Sequence, residues 1–280
     1  MTKKLAVFDI DGTIAQRGVF DPAALKGLQH LQRLGYHTTV STGRGYASVK
    51  YALGELFDTV IADGAPILLD QGTRICSKDG ETLFAERLSD DEITSITDFI
   101  RTNSGLVQFV YYNPEGADRK QQLWAEEQGI VDTEIERRSA FAEGWSGSIG
   151  ELRDKLLTEG VTQVECRLKA HIIVQNLKLG LAHSPLTILF QDQNMSLMKN
   201  NVNKGLAILY AMKELGVEYE DLIVAGNAVN DIEMLDLDAG KRILVGPKDE
   251  RETVLGYLSR TEAVIQVPSP AHLGLYLQKL

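Results

Sequence analysis

Short, wholly apolar runs that alternate with amphipathic helical stretches constrain the fold of this chain more than any other feature. Leu5-Ala6-Val7-Phe8 reads as a buried strand ending at an acid, Asp9. The helix after it carries its own punctuation: Asp21 suits the N-cap, Pro22 the first helical position, Leu25, Leu28 and Leu31 share one stripe, and Gly35 is the stop. His37 to Ser41 reads as the next strand, Tyr46 to Phe57 as a helix and Thr59 to Ala62 as a third strand. A β-α-β-α-β order implies right-handed crossovers and a parallel sheet. The rhythm returns late in the chain. Leu206, Leu209 and Leu215 mark a helix that stops near Gly216, and a strand is expected at Leu222 to Ala225. Ile232 and Leu235 lie on a helix, Ile243 to Val245 and Val264 to Val267 read as strands, and a last helix is expected from Ala271 to Leu280.

The middle of the chain has a different period. Val164, Cys166, Leu168, Ala170, Ile172 and Val174 alternate with polar residues, the pattern of half-exposed antiparallel strands. Leu186 to Phe190 and Met195 to Met198 flank Gln191-Asp192-Gln193-Asn194, a hairpin turn in composition. Helical stretches near Asp90 to Ile100 and Gly150 to Leu157 complete an α+β unit. The expected organisation is an α/β core made of residues 1–82 and 200–280, with an α+β insert at 83–199.

Composition narrows the function classes. A net charge of −10 over 280 residues argues against a nucleic-acid or anionic-membrane surface, which needs a basic patch, and suits carboxylates gathered around a divalent cation. Cys76 and Cys166 are far apart and form no CxxC pair, so neither a disulfide framework nor a zinc site is indicated. Lys3 and Lys4 precede an apolar stretch of Leu5 to Phe8 only, too short for a signal core, and no run approaches the ~18 apolar residues of a membrane span. A cytoplasmic protein is expected.

Four motifs carry chemistry. Asp9-Ile10-Asp11-Gly12-Thr13 places two acids directly beyond a strand, where parallel sheets bind ligands. One carboxylate can attack phosphorus while the other protonates the leaving oxygen. Ser41-Thr42-Gly43-Arg44 offers a hydroxyl, backbone amides and a guanidinium for phosphate oxygens. Asn203-Lys204-Gly205 puts a cation in a helix's first turn, where the dipole disfavours it unless an anion is present. Gly226-Asn227-Ala228-Val229-Asn230-Asp231 supplies hard oxygen ligands of the kind magnesium selects. Each motif alone has a plain structural alternative: an acidic turn, a helix cap, a solvated lysine.

Taken together and in this order, the four motifs resemble the haloacid dehalogenase (HAD) superfamily, and more narrowly its Cof-type sugar-phosphatase branch, over the whole chain. The resemblance implies a Rossmannoid parallel-sheet core with an inserted α+β cap that sets specificity. It implies a Mg2+-dependent phosphatase acting on a small phosphorylated metabolite, a sugar phosphate by class, through a phospho-aspartate. Asp9 would be the nucleophile and Asp11 the general acid and base. Thr42 would hold the phosphoryl group with the Gly43 amide and Arg44 beside it, and Asn230 would contact phosphate. Lys204 would neutralise phosphate and orient Asp9. The metal would be bound by the Asp9 carboxylate, the Asp11 carbonyl and the last motif, through Asn227 and Asp231.

Two departures stand out. The branch usually has Asp where this chain has Asn227, and Asn-Gly-Ala where it has Asp63-Gly64-Ala65. Asn227 keeps open a catalytically weakened protein that binds a phosphorylated ligand, and a phosphomutase is a further alternative. In the insert, Glu165, Arg167, Lys169 and His171 alternate with the apolar series and so share one strand face, either solvated or turned to the substrate.

Overall fold

The computed structural model describes residues 3–116, 119–169, 186–191 and 193–280. Strand β1 (Lys4–Phe8) is buried from Leu5 to Phe8, as an apolar run covered on both faces must be. Helix α1 (Pro22–Arg33) starts where its cap dictates: the Asp21 carboxylate accepts from the amides of Ala23 (2.8 Å) and Ala24 (3.3 Å). Leu28 and Leu31 are buried and Leu25 half-buried at the edge of the stripe. Strand β2 (Tyr36–Val40) and helix α2 (Tyr46–Leu53) follow.

Two expectations fail in the next segment. The helix does not continue to Phe57: Gly54 adopts φ +50° and the chain passes into a 3-10 turn. The strand expected at Thr59 to Ala62 is instead helix α3 (Phe57–Val60), with Ile61 extended behind it. Val60 and Ile61 are fully buried, and a short buried run does not by itself distinguish a strand from a helical turn. Beside the end of β2 runs a hairpin, β3 (Ile67–Leu69) and β4 (Arg74–Cys76), joined in its own sheet by β5 (Thr82–Ala85). Ser41 bridges Leu68 in parallel and the Thr42 amide donates to Leu68 O at 3.0 Å. The hairpin tip is thereby carried to the carboxyl end of β2.

The chain then builds α4 (Asp90–Thr102), β6 (Val107–Tyr112), β7 (Gln121–Ala125), α5 (Gln128–Arg138), β8 (Ala142–Ser146), α6 (Ile149–Thr158), β9 (Gln163–Leu168), β10 (Leu186–Gln191) and β11 (Asn194–Lys199). Helices α4 and α6 each open on a capping box, Ser89 with Glu92 and Ser148 with Glu151. The sheet order is β8-β7-β6-β9-β11-β10, antiparallel at β9 and at the β10–β11 hairpin. One face carries Val110, Trp124, Val164, Cys166 and Leu197 and packs with Ile93, Ile96, Leu152 and Leu156 of α4 and α6. Phe109, Tyr111, Leu123 and Ala125 of the other face cluster with Val131 of α5. Glu165 lies across from Tyr111 and Arg167 across from Phe109, so these charges share a face with a second apolar cluster. Tyr111 Oη donates to Glu165, and Arg167 donates to Asn194 Oδ1 at 3.0 Å. Lys169 lies beyond the end of β9; Ala170, His171, Ile172, Val174 and Asp192 lie outside the described residues.

The return segment forms α7 (Lys204–Leu215), β12 (Leu222–Gly226), α8 (Ile232–Leu235), β13 (Lys241–Val245), α9 (Lys248–Leu255), β14 (Val264–Val267) and α10 (Pro270–Leu277). The core sheet has the order β14-β13-β12-β1-β2 and is parallel throughout. The structure divides into one unit of residues 1–44, 52–83 and 203–280 and a second of 45–51 and 84–202. Residues 45–51 group with the second unit, within which the Tyr51 ring packs on Phe141 with centroids 5.0 Å apart. No described helix is long and apolar enough to cross a membrane.

Candidate active site

The carboxyl ends of β1, β2 and β12 lie side by side: the Asp9 amide donates to Ala225 O and the Ser41 amide to Phe8 O, both at 2.9 Å. Strand order reverses at β1, with β2 on one side and β12 on the other. The crevice beyond such a switch point is where open parallel sheets bind ligands. Three of the four motifs are loops at this edge, and the fourth, Lys204, reaches it from the start of α7.

Asn203 caps α7, its Oδ1 accepting from the Leu206 amide at 2.9 Å. The anion that offsets a lysine in this first turn comes from the protein itself. Lys204 Nζ donates to Asp9 Oδ1 at 2.7 Å and to Asp231 Oδ1 at 2.6 Å, and the lysine is 1% exposed. Three charges can be buried together here because they pair. Burial pushes the Asp9 carboxyl up, to about 7, while Lys204 pulls it down and Asp231 adds to the rise. Burial alone would lower Lys204, but Asp231 and Asp9 outweigh it and the ammonium is held above its ordinary range.

Asp11 and Arg44 meet above this buried cluster. Arg44 Nε donates to Asp11 Oδ2 at 2.8 Å and Nη2 to Oδ1 at 2.9 Å, a two-pronged pair with the Asp11 side chain 49% exposed. An ion pair this exposed contributes little stability, so its consequence is orientation of the acid. The resemblance places Arg44 beside phosphate; here it pairs with the second acid of the first motif. Thr42 is buried and its Oγ1 accepts from the Arg44 amide at 3.2 Å.

Asn227 folds over Gly12, which needs its positive φ of +93° and its missing side chain, since a Cβ there would lie 2.3 Å from the Asn227 amide. The amide's end is surrounded by acceptors: Asp11 main-chain O at 3.0 Å, Thr13 Oγ1 at 3.1 Å and Asp9 Oδ2 at 3.3 Å, among which the two N–H groups of Nδ2 are shared when it faces them. Turned over, the amide presents Oδ1 to the same spot. Asp9 Oδ2, the Asp11 carbonyl and Asn227 Oδ1 are then converging hard oxygens, a donor set that fits Mg2+ with one full negative charge. Among the described residues no three His, Cys, Asp or Glu side chains converge on a metal-sized site. Asp231, expected among the ligands, has contacts within the protein. Its Oδ1 takes Lys204 and its Oδ2 accepts from the amides of Asn227 (2.8 Å) and Ala228 (3.0 Å), so it braces the lysine and the loop. Asn230 Nδ2 donates to Gln71 Oε1 at 3.4 Å. Neither Thr13 nor Gln71 is marked out as functional by its own residue type. Thr13 sits inside the first motif, whereas Asp70-Gln71-Gly72 reads only as a turn after an apolar run.

A haloacid dehalogenase-like hydrolase family matches residues 6–250, and the chain belongs to that family. Among curated relatives, the HMP-PP phosphatase of Cronobacter sakazakii is 28% identical over 254 residues, covering 87% of this chain and 84% of the relative. The HMP-PP phosphatase of Yersinia pestis is 24% identical over 250 residues with the same coverage, 87% and 84%. Of the solved structures, a HAD subclass IIB sugar phosphatase superposes with a TM-score of 0.76 at 17% identity, covering 99% of this chain and 98% of that one. A HAD/COF-like hydrolase from Plasmodium vivax gives a TM-score of 0.76 at 20% identity, covering 99% and 95%. At these identities the two structures establish the shared fold. Phosphatases of this family generally use Mg2+.

Proposed function

We propose that this protein is a phosphatase that removes phosphate from a small phosphorylated metabolite through a phospho-aspartate on Asp9. The observation that carries the reading is the buried Asp9–Lys204–Asp231 cluster at the switch point, with Asp9 Oδ1 fixed by Lys204 and Asp9 turned toward the Asn227 loop. Lys204 offsets part of the burial that disfavours the Asp9 carboxylate and holds it in one rotamer, which a nucleophile needs. The Asp9 carboxylate attacks phosphorus as the bond to the leaving oxygen breaks, and Asp11, protonated on an oxygen turned from Arg44, delivers that proton to the leaving oxygen. Asp11, now ionised and steered by Arg44, takes a proton from the water that attacks the phospho-aspartate; phosphate leaves and Asp9 is restored. Thr42, the Gly43 amide and Asn230 hold the phosphoryl oxygens. Asp9, the Asp11 carbonyl and Asn227 would hold Mg2+, which supplies positive charge against those oxygens.

The relatives' names support the substrate class, and the inserted α+β unit is read as the cap that selects within it. Relatives named HMP-PP phosphatases and a fold neighbour named a sugar phosphatase make HMP-PP and sugar phosphates the first compounds to screen by kcat/KM. The direct test is hydrolysis of p-nitrophenyl phosphate with and without Mg2+. Asp9→Ala should abolish turnover in a folded protein, and activity that survives it refutes the mechanism. One observation favours a second reading, a non-hydrolysing binder of a phosphorylated ligand: the Asn227 amide is satisfied without a cation. Phosphate binding by the wild-type protein with no hydrolysis of any screened ester would select it.

A further inference from the structure

The tip of the β3–β4 hairpin is the most strained backbone near the site. Asp70 (φ +51°), Gln71 (φ +59°) and Gly72 (φ +94°) are consecutive left-handed residues, and two of them carry side chains. A local turn does not need this, and what holds it is contact with three of the four motifs. The Gln71 amide donates to Thr42 O at 3.0 Å and the Asp70 amide to Arg44 O at 3.2 Å. Gly72 packs so closely on the start of α7 that a Cβ would lie 2.3 Å from Asn203 O and 3.0 Å from the Lys204 amide. From below, buried Asp70 is locked to buried Arg74 by an ion pair of 2.8 Å. The conformation delivers the Gln71 side chain, 6% exposed, between the second motif and the fourth. Its Nε2 would stand 2.4 Å from a Cβ on Gly43, and its Oε1 accepts from Asn230 Nδ2 at 3.4 Å. Among the described residues that Nε2 donates to no protein acceptor, which leaves an oriented N–H pair beside the amides of the Thr42-Gly43 loop.

We propose that Gln71 is a positioning residue of the phosphate site: it sets the spacing between the Thr42-Gly43 loop and Asn230, and its Nε2 is available to a phosphoryl oxygen held between them. The inference rests on the phosphatase reading above for the identity of the anion. Its logic is that of a preorganised oxyanion site, in which donors must be spaced before the ligand arrives, and strain is kept where it fixes that spacing.

Gln71→Gly tests this, because glycine takes a left-handed backbone without steric cost while the amide is lost with the rest of the side chain. Inorganic phosphate is titrated calorimetrically into wild-type and Q71G protein with Mg2+ present, alongside p-nitrophenyl phosphate kinetics and thermal melting. The expected result is a Tm within a few degrees of wild type, with phosphate affinity and kcat each lower by roughly ten- to a hundredfold. A double-mutant cycle with Asn230→Ala should be strongly non-additive, since the two side chains act through one contact. Phosphate affinity and kcat within about twofold of wild type, or an additive cycle, overturns the proposal. Should Q71G fold poorly, Gln71→Asn repeats the measurement, since asparagine tolerates the left-handed region and its amide is one carbon short. Wild-type protein that binds phosphate but hydrolyses nothing refutes the phosphatase reading, and Gln71 is still judged by the ratio of phosphate affinities. Wild-type protein that does not bind phosphate overturns both.

Discussion

Asn227→Asp separates the two things the asparagine can do. An amide can serve the site in either orientation, donating to Asp9 and Asp11 when no cation is present and turning its oxygen to a cation when one is. A carboxylate can do only the second. In the substituted protein an oxygen would stand where Nδ2 does, 3.3 Å from Asp9 Oδ2 and 3.0 Å from the Asp11 carbonyl. Two unit charges 3.3 Å apart repel by about 5 kcal/mol at an effective dielectric of ~20. Lys204, 2.7 Å from the other Asp9 oxygen, offsets part of this, and Asn227 is only half-buried. Adding the hydrogen bonds lost to Asp9 and Asp11, the metal-free variant should be less stable by roughly 2–3 kcal/mol. In a chain of this size that is a fall of several degrees in Tm. With Mg2+ the order should reverse: the added charge should tighten the cation by at least about tenfold, or 1.4 kcal/mol, and raise kcat at limiting Mg2+. Thermal melts in EDTA and calorimetric Mg2+ titrations of both proteins read the two arms separately. Equal melting in EDTA together with equal Mg2+ affinity would show that Asn227 neither bonds to Asp9 nor reaches the metal, and the account of this loop would be wrong.

Other consequences are equally direct. Lys204→Ala leaves Asp9 and Asp231 facing each other in a buried site, and chemical denaturation should show a loss of about 3–5 kcal/mol; a loss below about 1 kcal/mol contradicts the buried triad. Asp9 attacks only as the carboxylate, and burial raises its carboxyl to about 7, so kcat/KM should climb as pH rises through that value. A cation on Asp9 favours the ionised form, so saturating Mg2+ should move this limb to lower pH; a limb that stays in place when Mg2+ is varied argues against metal on Asp9. In the second unit, Tyr111 is the hydroxyl donor to a Glu165 whose carboxyl is raised by burial. Tyr111→Phe should cost roughly 1–3 kcal/mol in a denaturant melt, and an unchanged midpoint would mean that Glu165 is solvated.

Much of the framework was legible in the residues themselves. β1 is apolar from end to end because both its faces are covered, and α1 announces its start through Asp21-Pro22, since caps and proline act over a few neighbouring residues. The motifs were visible for the same reason: each is a short contiguous run at a strand end or helix start. Where local cues were weak the reading failed. Val60-Ile61-Ala62 is as apolar as a strand, and only packing shows that Val60 closes a helical turn with Ile61 extended behind it. What no local pattern carries is which residues meet. Lys204 reads as a lone cation in a first turn until folding brings Asp9 from 195 residues away and Asp231 to either side of its ammonium. Asp231 reads only as an acid of the last motif until its two oxygens are seen to meet Lys204 and two backbone amides. Gln71 looks like a turn residue until the hairpin tip docks on Thr42, Gly43 and Asn230. Element types follow from short-range sterics and burial period, which a sequence records. The partners of a buried charge or amide are chosen by long-range packing, and only the folded chain records those.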